Sequence, residues 1–200
     1  MTKPATRAEL ERIPVEPYGS VRPLLRTGDV LLAAGEHWIS HVISRATRSP
    51  MTHAGIVYVM PDEDRVLLLE AVEGAGVRLA PLSRLVWGTP RQRYRGMLFV
   101  LRHREQLTRL GLRSASQFGF DRLTARYGYW TLGVILARII LGLRQTRTEI
   151  EDDQFICSEL ASTWLLSAGL GLDAHAADYG FVTPKAIWED PNLELVARLA

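Results

Sequence analysis

The chain has 200 residues, 47% of them apolar and 23% charged, with a formal net charge of +2. That is the size and composition of one folded domain with an ordinary core, and it excludes a disordered or collagen-like chain. A single cysteine, Cys157, excludes an internal disulfide framework and every cysteine-rich zinc pattern, which leaves the thiol as either a small buried hydrophobe or a reactive group.

Residues 1–26 contain Pro14, Pro17 and Pro23 and are expected to form an irregular or briefly helical lead-in to a domain spanning 27–200. The opening MTKPATRAELERIPVEPYGS puts no apolar core behind its charges, so no secretory signal is expected. A cytoplasmic location is the default, with signal-free export or peripheral membrane association as alternatives. GDVLLAA at 28–34 reads as a short strand. EHWISHVISRATRS then spaces Trp38, Ile39, Val42, Ile43 and Ala46 as an amphipathic helix that stops before Pro50. Two strands, His53 to Met60 and Arg65 to Val72, flank the turn PDED, and GVRLAPL forms a third. RYRGMLFVLRH at 93–103 is another strand. The period then changes, and 105–125 and 129–143 read as helices within a helical insertion at about 104–145. After the polar loop QTRTEIEDDQ, Ile156 to Ala168 reads as a helix with Gly169 at its C-cap. The tail mixes a turn, one helical turn around Lys185–Trp188 and a final apolar segment. The expected class is α+β, a small antiparallel sheet packed with helices.

The chemistry-bearing residues fall in three of these elements. If Met60 pairs with Arg65 across PDED, Gly55 faces Glu70, and His53 lies on the same sheet face as Glu70, diagonally across the hairpin. A carboxylate there accepts a hydrogen bond from one ring nitrogen and stabilises imidazolium, with Gly55 leaving room between the two. A slip of one residue would separate the pair onto opposite faces. Cys157 falls in the first turn of its helix, where unpaired N–H groups and the helix dipole favour a thiolate and would stabilise an oxyanion. A nucleophile at a helix start, a base from a strand and a third group orienting the base make a triad.

These stretches, GDVLLAAGEHWISHVISRATRSPMTHAGIVYV, LLLEAVEGAGVRL, FICSELASTWLLSAGL and FVTPKAIWEDPNLELV, resemble the permuted papain-like cysteine hydrolases of the NlpC superfamily, in its YiiX/YebB-like branch. In papain the cysteine helix precedes the histidine strand; in the permuted branch, and in the related lecithin–retinol acyltransferases, the histidine strand comes first, as here. The resemblance covers roughly residues 27–195. It implies a circularly permuted papain-like fold with Cys157 as nucleophile, His53 as base, Glu70 as third polar residue and no cofactor. Relatives space strand and cysteine by a shorter helical segment, so the insertion sets this chain apart.

What the resemblance implies is a hydrolase that cleaves an amide or acyl ester bond through a Cys157 thioester, on a peptide or an acyl lipid. The alternatives are a lipid acyl hydrolase or acyltransferase at a membrane surface, and a non-catalytic module that binds an anionic partner. Residues 91–150 hold twelve arginines against Glu105, Asp121 and Glu149, which leaves the rest of the chain at −7. Such helices would suit an anionic membrane surface, but basic residues on solvated helix faces are the favoured reading. The region lacks aromatic-basic interleaving, so no nucleic acid is expected. The apolar run 129–143 is short for a bilayer crossing and contains Arg138. Ser158 and Tyr127 are candidates to line the substrate site; Glu159 could cap or line it, and Tyr129 could line a pocket. His37 and His41 have metal-compatible spacing without a third ligand, so no metal is expected. Asp29 reads as a turn residue, and His103 and His175 have no evident partner. No G-x-S-x-G turn supports a serine hydrolase.

Overall fold

The structure is a computed structural model that describes residues 3, 6–35, 38–88, 94, 96–128, 154–173 and 182–200. The expected helix at 129–143, the second half of the expected insertion, His37, Tyr129, His175 and six of the twelve arginines lie outside these residues.

In chain order the described elements are α1 (Arg7–Glu11), β1 (Val15–Glu16), α2 (Tyr18–Val21), β2 (Val30–Gly35), α3 (Trp38–Thr47), β3 (His53–Met60), β4 (Arg65–Val72), β5 (Gly76–Pro81), α4 (Leu82–Trp87), β6 (Gly96–His103), α5 (Arg109–Asp121), β7 (Arg126–Tyr127), β8 (Gln154–Phe155), α6 (Cys157–Ser167), α7 (Pro184–Glu189) and β9 (Leu193–Leu199). Seven strands form one sheet in the order β1-β9-β6-β2-β3-β4-β5. Every neighbouring pair is antiparallel except β1 with β9. Helices cover both faces, so the central strands β2 and β3 read as nearly continuous apolar runs rather than as alternations.

Two cores result. On one face, Ala54, Ile56 and Tyr58 of β3 pack with Leu160, Ala161 and Trp164 of α6. On the other, Val57 and Leu68 pack with Leu82, Leu85 and Val86 of α4 and with Tyr18 and Val21 of α2. The indole N–H of Trp164 donates to the Tyr58 hydroxyl at 2.6 Å, so the buried indole is satisfied and fixes the height of α6 on the sheet. The helix ends as its sequence demands. Gly169 takes φ +75°, and the Leu170 and Gly169 N–H groups return to the Leu165 and Leu166 carbonyls, a Schellman closure.

Several expectations are corrected. The lead-in is not merely irregular or helical: Val15 and Glu16 pair with Arg198 and Leu199, and Leu10, Tyr18 and Val21 are buried. The helix expected from 105 starts at Arg109, because the Thr108 hydroxyl accepts from the Gly111 N–H and so caps it there, while Leu107 packs on the core ahead of it. It ends at Asp121 rather than 125. The tail's final apolar segment is a full strand, β9. The outer strand β5 is covered by chain from 124–125: the Val77 N–H donates to the Ala125 carbonyl, and the Thr124 N–H to the Val77 carbonyl. Gly76 permits this approach, since it has φ +69° and a Cβ would sit 2.2 Å from the Ala125 oxygen.

Candidate active site

The hairpin takes the register expected of PDED. Met60 pairs with Arg65 and Gly55 with Glu70. His53 Nε2 lies 2.8 Å from Glu70 Oε2. The close approach at Gly55 also serves the hairpin itself, because a Cβ there would meet the Leu68 side chain and the Leu69 carbonyl at 2.9 Å. The glycine lets β3 and β4 close up.

Cys157 is the first residue of α6, after Ile156 in extended conformation. Its buried thiol lies within interaction range of the His53 side chain and faces the backbone N–H groups of Ala54 and Ser158. By strand alternation His53 and Glu70 belong to the Val57 and Leu68 face, whereas the body of α6 lies on the Ala54 face. Thiol and imidazole meet at the end of β3, where His53 is the first residue of the strand and of the helix only the first turn is near. Since Nε2 faces Glu70, Nδ1 is the ring nitrogen left for sulfur.

Arg78, which the sequence reading passed over, completes the row. It stands directly opposite Glu70 on β5, and its Nε and Nη2 donate to Glu70 Oε1 at 3.0 and 2.8 Å. The signal was present: the turn after Val72 returns the chain so that Gly76 faces Val72, and the same register carries Arg78 to Glu70. Tyr94 was missed as well. Its hydroxyl bonds the Thr52 and Ser40 side chains within reach of the Cys157 and Glu70 charges. Burial foremost, and those charges after it, push its phenol up to about 12.

The electrostatics follow from burial and pairing. Burial alone would push the His53 imidazole down, but the Cys157 and Glu70 partners outweigh it and raise it to about 10. Burial opposes ionisation of Cys157, yet the His53 charge and hydrogen bond, with the Ala54 and Ser158 N–H groups, hold the thiol below its ordinary value. Burial also opposes ionisation of Glu70, and His53 and Arg78 together overcome it and hold the carboxyl below its ordinary value.

The other candidates lie as follows. The buried Ser158 hydroxyl donates to the Val182 carbonyl at 2.8 Å and ties the start of α6 to the segment before α7. Tyr127 pairs with Phe155 in the two-stranded β7–β8 ladder, so it guides the chain into the cysteine helix. Glu159 accepts from the Ile156 N–H; burial pushes its carboxyl up to about 7, and its Oε2 has no partner among the described residues. His103 is a structural residue, with Nε2 3.3 Å from the Gly171 carbonyl and Nδ1 accepting from the Glu105 N–H.

A sheet that delivers its histidine before the helix that carries the cysteine is a papain-like fold in permuted order. The model of the permuted papain-like amidase family, YaeF/YiiX, C92, matches residues 24–132, and the chain belongs to that family. The match contains His53 and Glu70 and ends before Cys157. Among solved structures, yiiX from Escherichia coli O157:H7 superposes with a TM-score of 0.61 at 20% identity, over 86% of this chain and 97% of that one. At that identity the likeness concerns the fold. No curated protein matches the chain by sequence. The yiiX structure is described as a metalloprotein. Among the described residues here, no three His, Cys, Asp or Glu side chains are placed to hold a metal ion. Both Glu70 oxygens are already engaged, one by His53 and one by Arg78. Nor is any described helix long and apolar enough to cross a membrane.

Proposed function

We propose that the protein is a cysteine amidase that forms a thioester on Cys157. The observation that carries this reading is the row in which His53 is hydrogen-bonded to Glu70 and electrostatically coupled to the buried Cys157 thiol, set in a fold whose family is one of amidases. The thiolate attacks the amide carbonyl carbon, and the carbonyl π electrons move to oxygen. Backbone N–H groups at the start of α6 stabilise that oxyanion. As the tetrahedral species collapses, the C–N bond breaks and the His53 imidazolium gives its proton to the leaving amine. His53, now neutral, takes a proton from water; the resulting hydroxide attacks the thioester, and the carboxylic acid departs as thiolate and imidazolium are restored. Glu70 holds the ring by Nε2–H throughout, which keeps Nδ1 aimed at the reacting atoms. The arginine-rich stretch after β6, which includes Arg109 and Arg113 of α5, brings the site to an anionic surface and so sets which amides reach it.

The test is the rate of alkylation by iodoacetamide against pH, for the wild type and for His53→Ala. A thiol that reacts fast well below the pH at which a free cysteine does, and that loses this in the variant, is the expected result. A thiol that reacts only on unfolding, with no dependence on His53, would sink the reading.

A further inference from the structure

Among the described residues, one charged side chain outside the proposed triad touches it directly. Arg78 is on the outermost strand with its side chain 44% exposed, yet it sends two N–H groups to one oxygen of a carboxylate whose side chain is 3% exposed. The other oxygen is left wholly to His53. We propose that Arg78 is a positioning residue of this site: it fixes Glu70 as an oriented carboxylate, so that the row Arg78, Glu70, His53, Cys157 alternates in charge and sums to zero when the thiol is ionised. The proposal rests on the cysteine reading given above and adds a fourth member to it.

The charge arithmetic yields a direction. With Arg78 present, the ionised row is neutral; with the thiol protonated it would be +1. Without Arg78 the ionised row is −1, and protonating the thiol makes it neutral. A buried row avoids net charge, so removing Arg78 favours the protonated thiol. Among the described residues, the groups that face this row from the packed elements are His53 from β3, Glu70 from β4, Cys157 from α6 and Tyr94 from the segment before β6. Tyr94 stays neutral across the working range because its phenol is pushed up to about 12. Glu159, also on α6, titrates near 7 against the Ile156 N–H and is replaced by Gln in every protein of the experiment to remove its contribution.

The experiment is the iodoacetamide rate against pH in that background, for Arg78, Arg78→Met, Arg78→Lys and His53→Ala. We expect Arg78→Met to raise the midpoint of thiol reactivity by about one pH unit, less than a direct contact would give because Arg78 is half solvated. Arg78→Lys restores the charge and returns the midpoint most of the way, a rescue that a packing role would not produce. Should Arg78→Met not fold, Arg78→Gln on the same edge strand replaces it. A fast, His53-dependent thiol whose midpoint stays put without Arg78 overturns the Arg78 proposal and leaves the cysteine reading standing. A parent thiol that is slow and indifferent to His53 overturns both.

Discussion

Among the described residues two buried carboxylates each face an arginine, and they are built differently. Asp29, 1% exposed, receives Arg102 across both oxygens, Nε to Oδ1 at 2.7 Å and Nη2 to Oδ2 at 2.8 Å. The Arg26 N–H adds a third bond to Oδ2, and Arg102 also reaches the Leu24 carbonyl. That cluster is closed: it welds the turn before β2 to the far end of β6. Glu70 instead receives both arginine N–H groups on one oxygen and gives the other to an imidazole. The same pairing of carboxylate with guanidinium makes a clamp in one place and, in the other, one link of a row that continues to His53, the relay of the proposed mechanism. Orientation of the guanidinium decides which.

The comparison can be broken from either side. Asp29→Ala leaves Arg102 without its anion and frees the turn, and it is expected to cost about 3 kcal/mol of stability, as breaking a buried pair does. Urea unfolding reads that loss, and the pH midpoint of Cys157 alkylation is expected not to move. A moved midpoint would mean that the Asp29 clamp is part of the site after all. Glu70→Gln should do the reverse. It keeps an acceptor for His53 but removes the negative charge that helps hold the imidazole near 10. The alkaline limb of amidase activity is therefore expected to fall by about one pH unit, with kcat/KM down on the order of tenfold to a hundredfold. An unchanged pH profile would show that Glu70 acts on His53 by packing alone.

The open relay was easier to see in the sequence than the closed clamp, and the reason is separation along the chain. His53 and Glu70 are 17 residues apart across one four-residue turn, so hairpin register brings them together with no knowledge of the rest. Arg78 needed only one hairpin more. Asp29 and Arg102 are 73 residues apart, and they meet because β2 lies between β3 and β6, an order that no local pattern contains. So Asp29 reads as a turn residue, which it also is, and Arg102 as one more charge in a basic region. Cys157 at a helix start was legible from the change in sequence from a polar stretch to an apolar, helix-periodic one. That its helix lies across the sheet face opposite His53, and meets it only at the strand end, was not, since periodicity says which residues are buried and not on which side of the sheet.

The smallest expected effect concerns a carboxylate that meets no arginine among the described residues. Glu159 sits at the third position of α6, where a carboxylate ordinarily stabilises a helix start. Here burial dominates, and its acid is held up near 7, above the range it would have in the unfolded chain. Below the unfolded value both states are protonated and the group is neutral in its effect. As pH rises through that value toward 7, the unfolded chain sheds the proton first, so stability is lost across this window and the penalty is complete above it. Glu159→Gln keeps an acceptor for the Ile156 N–H and cannot ionise. It is expected to raise Tm by a few degrees at pH 8 and to leave it unchanged at pH 4. An equal gain at both values would point to better packing instead. A loss at pH 8 would mean that the ionised carboxylate is satisfied in the folded protein. A gain confined to pH 8 places the three carboxylates in a series set by what meets them: an arginine across both oxygens for the clamp, an arginine on one oxygen and an imidazole on the other for Glu70, and no arginine among the described residues for a group that costs stability once charged.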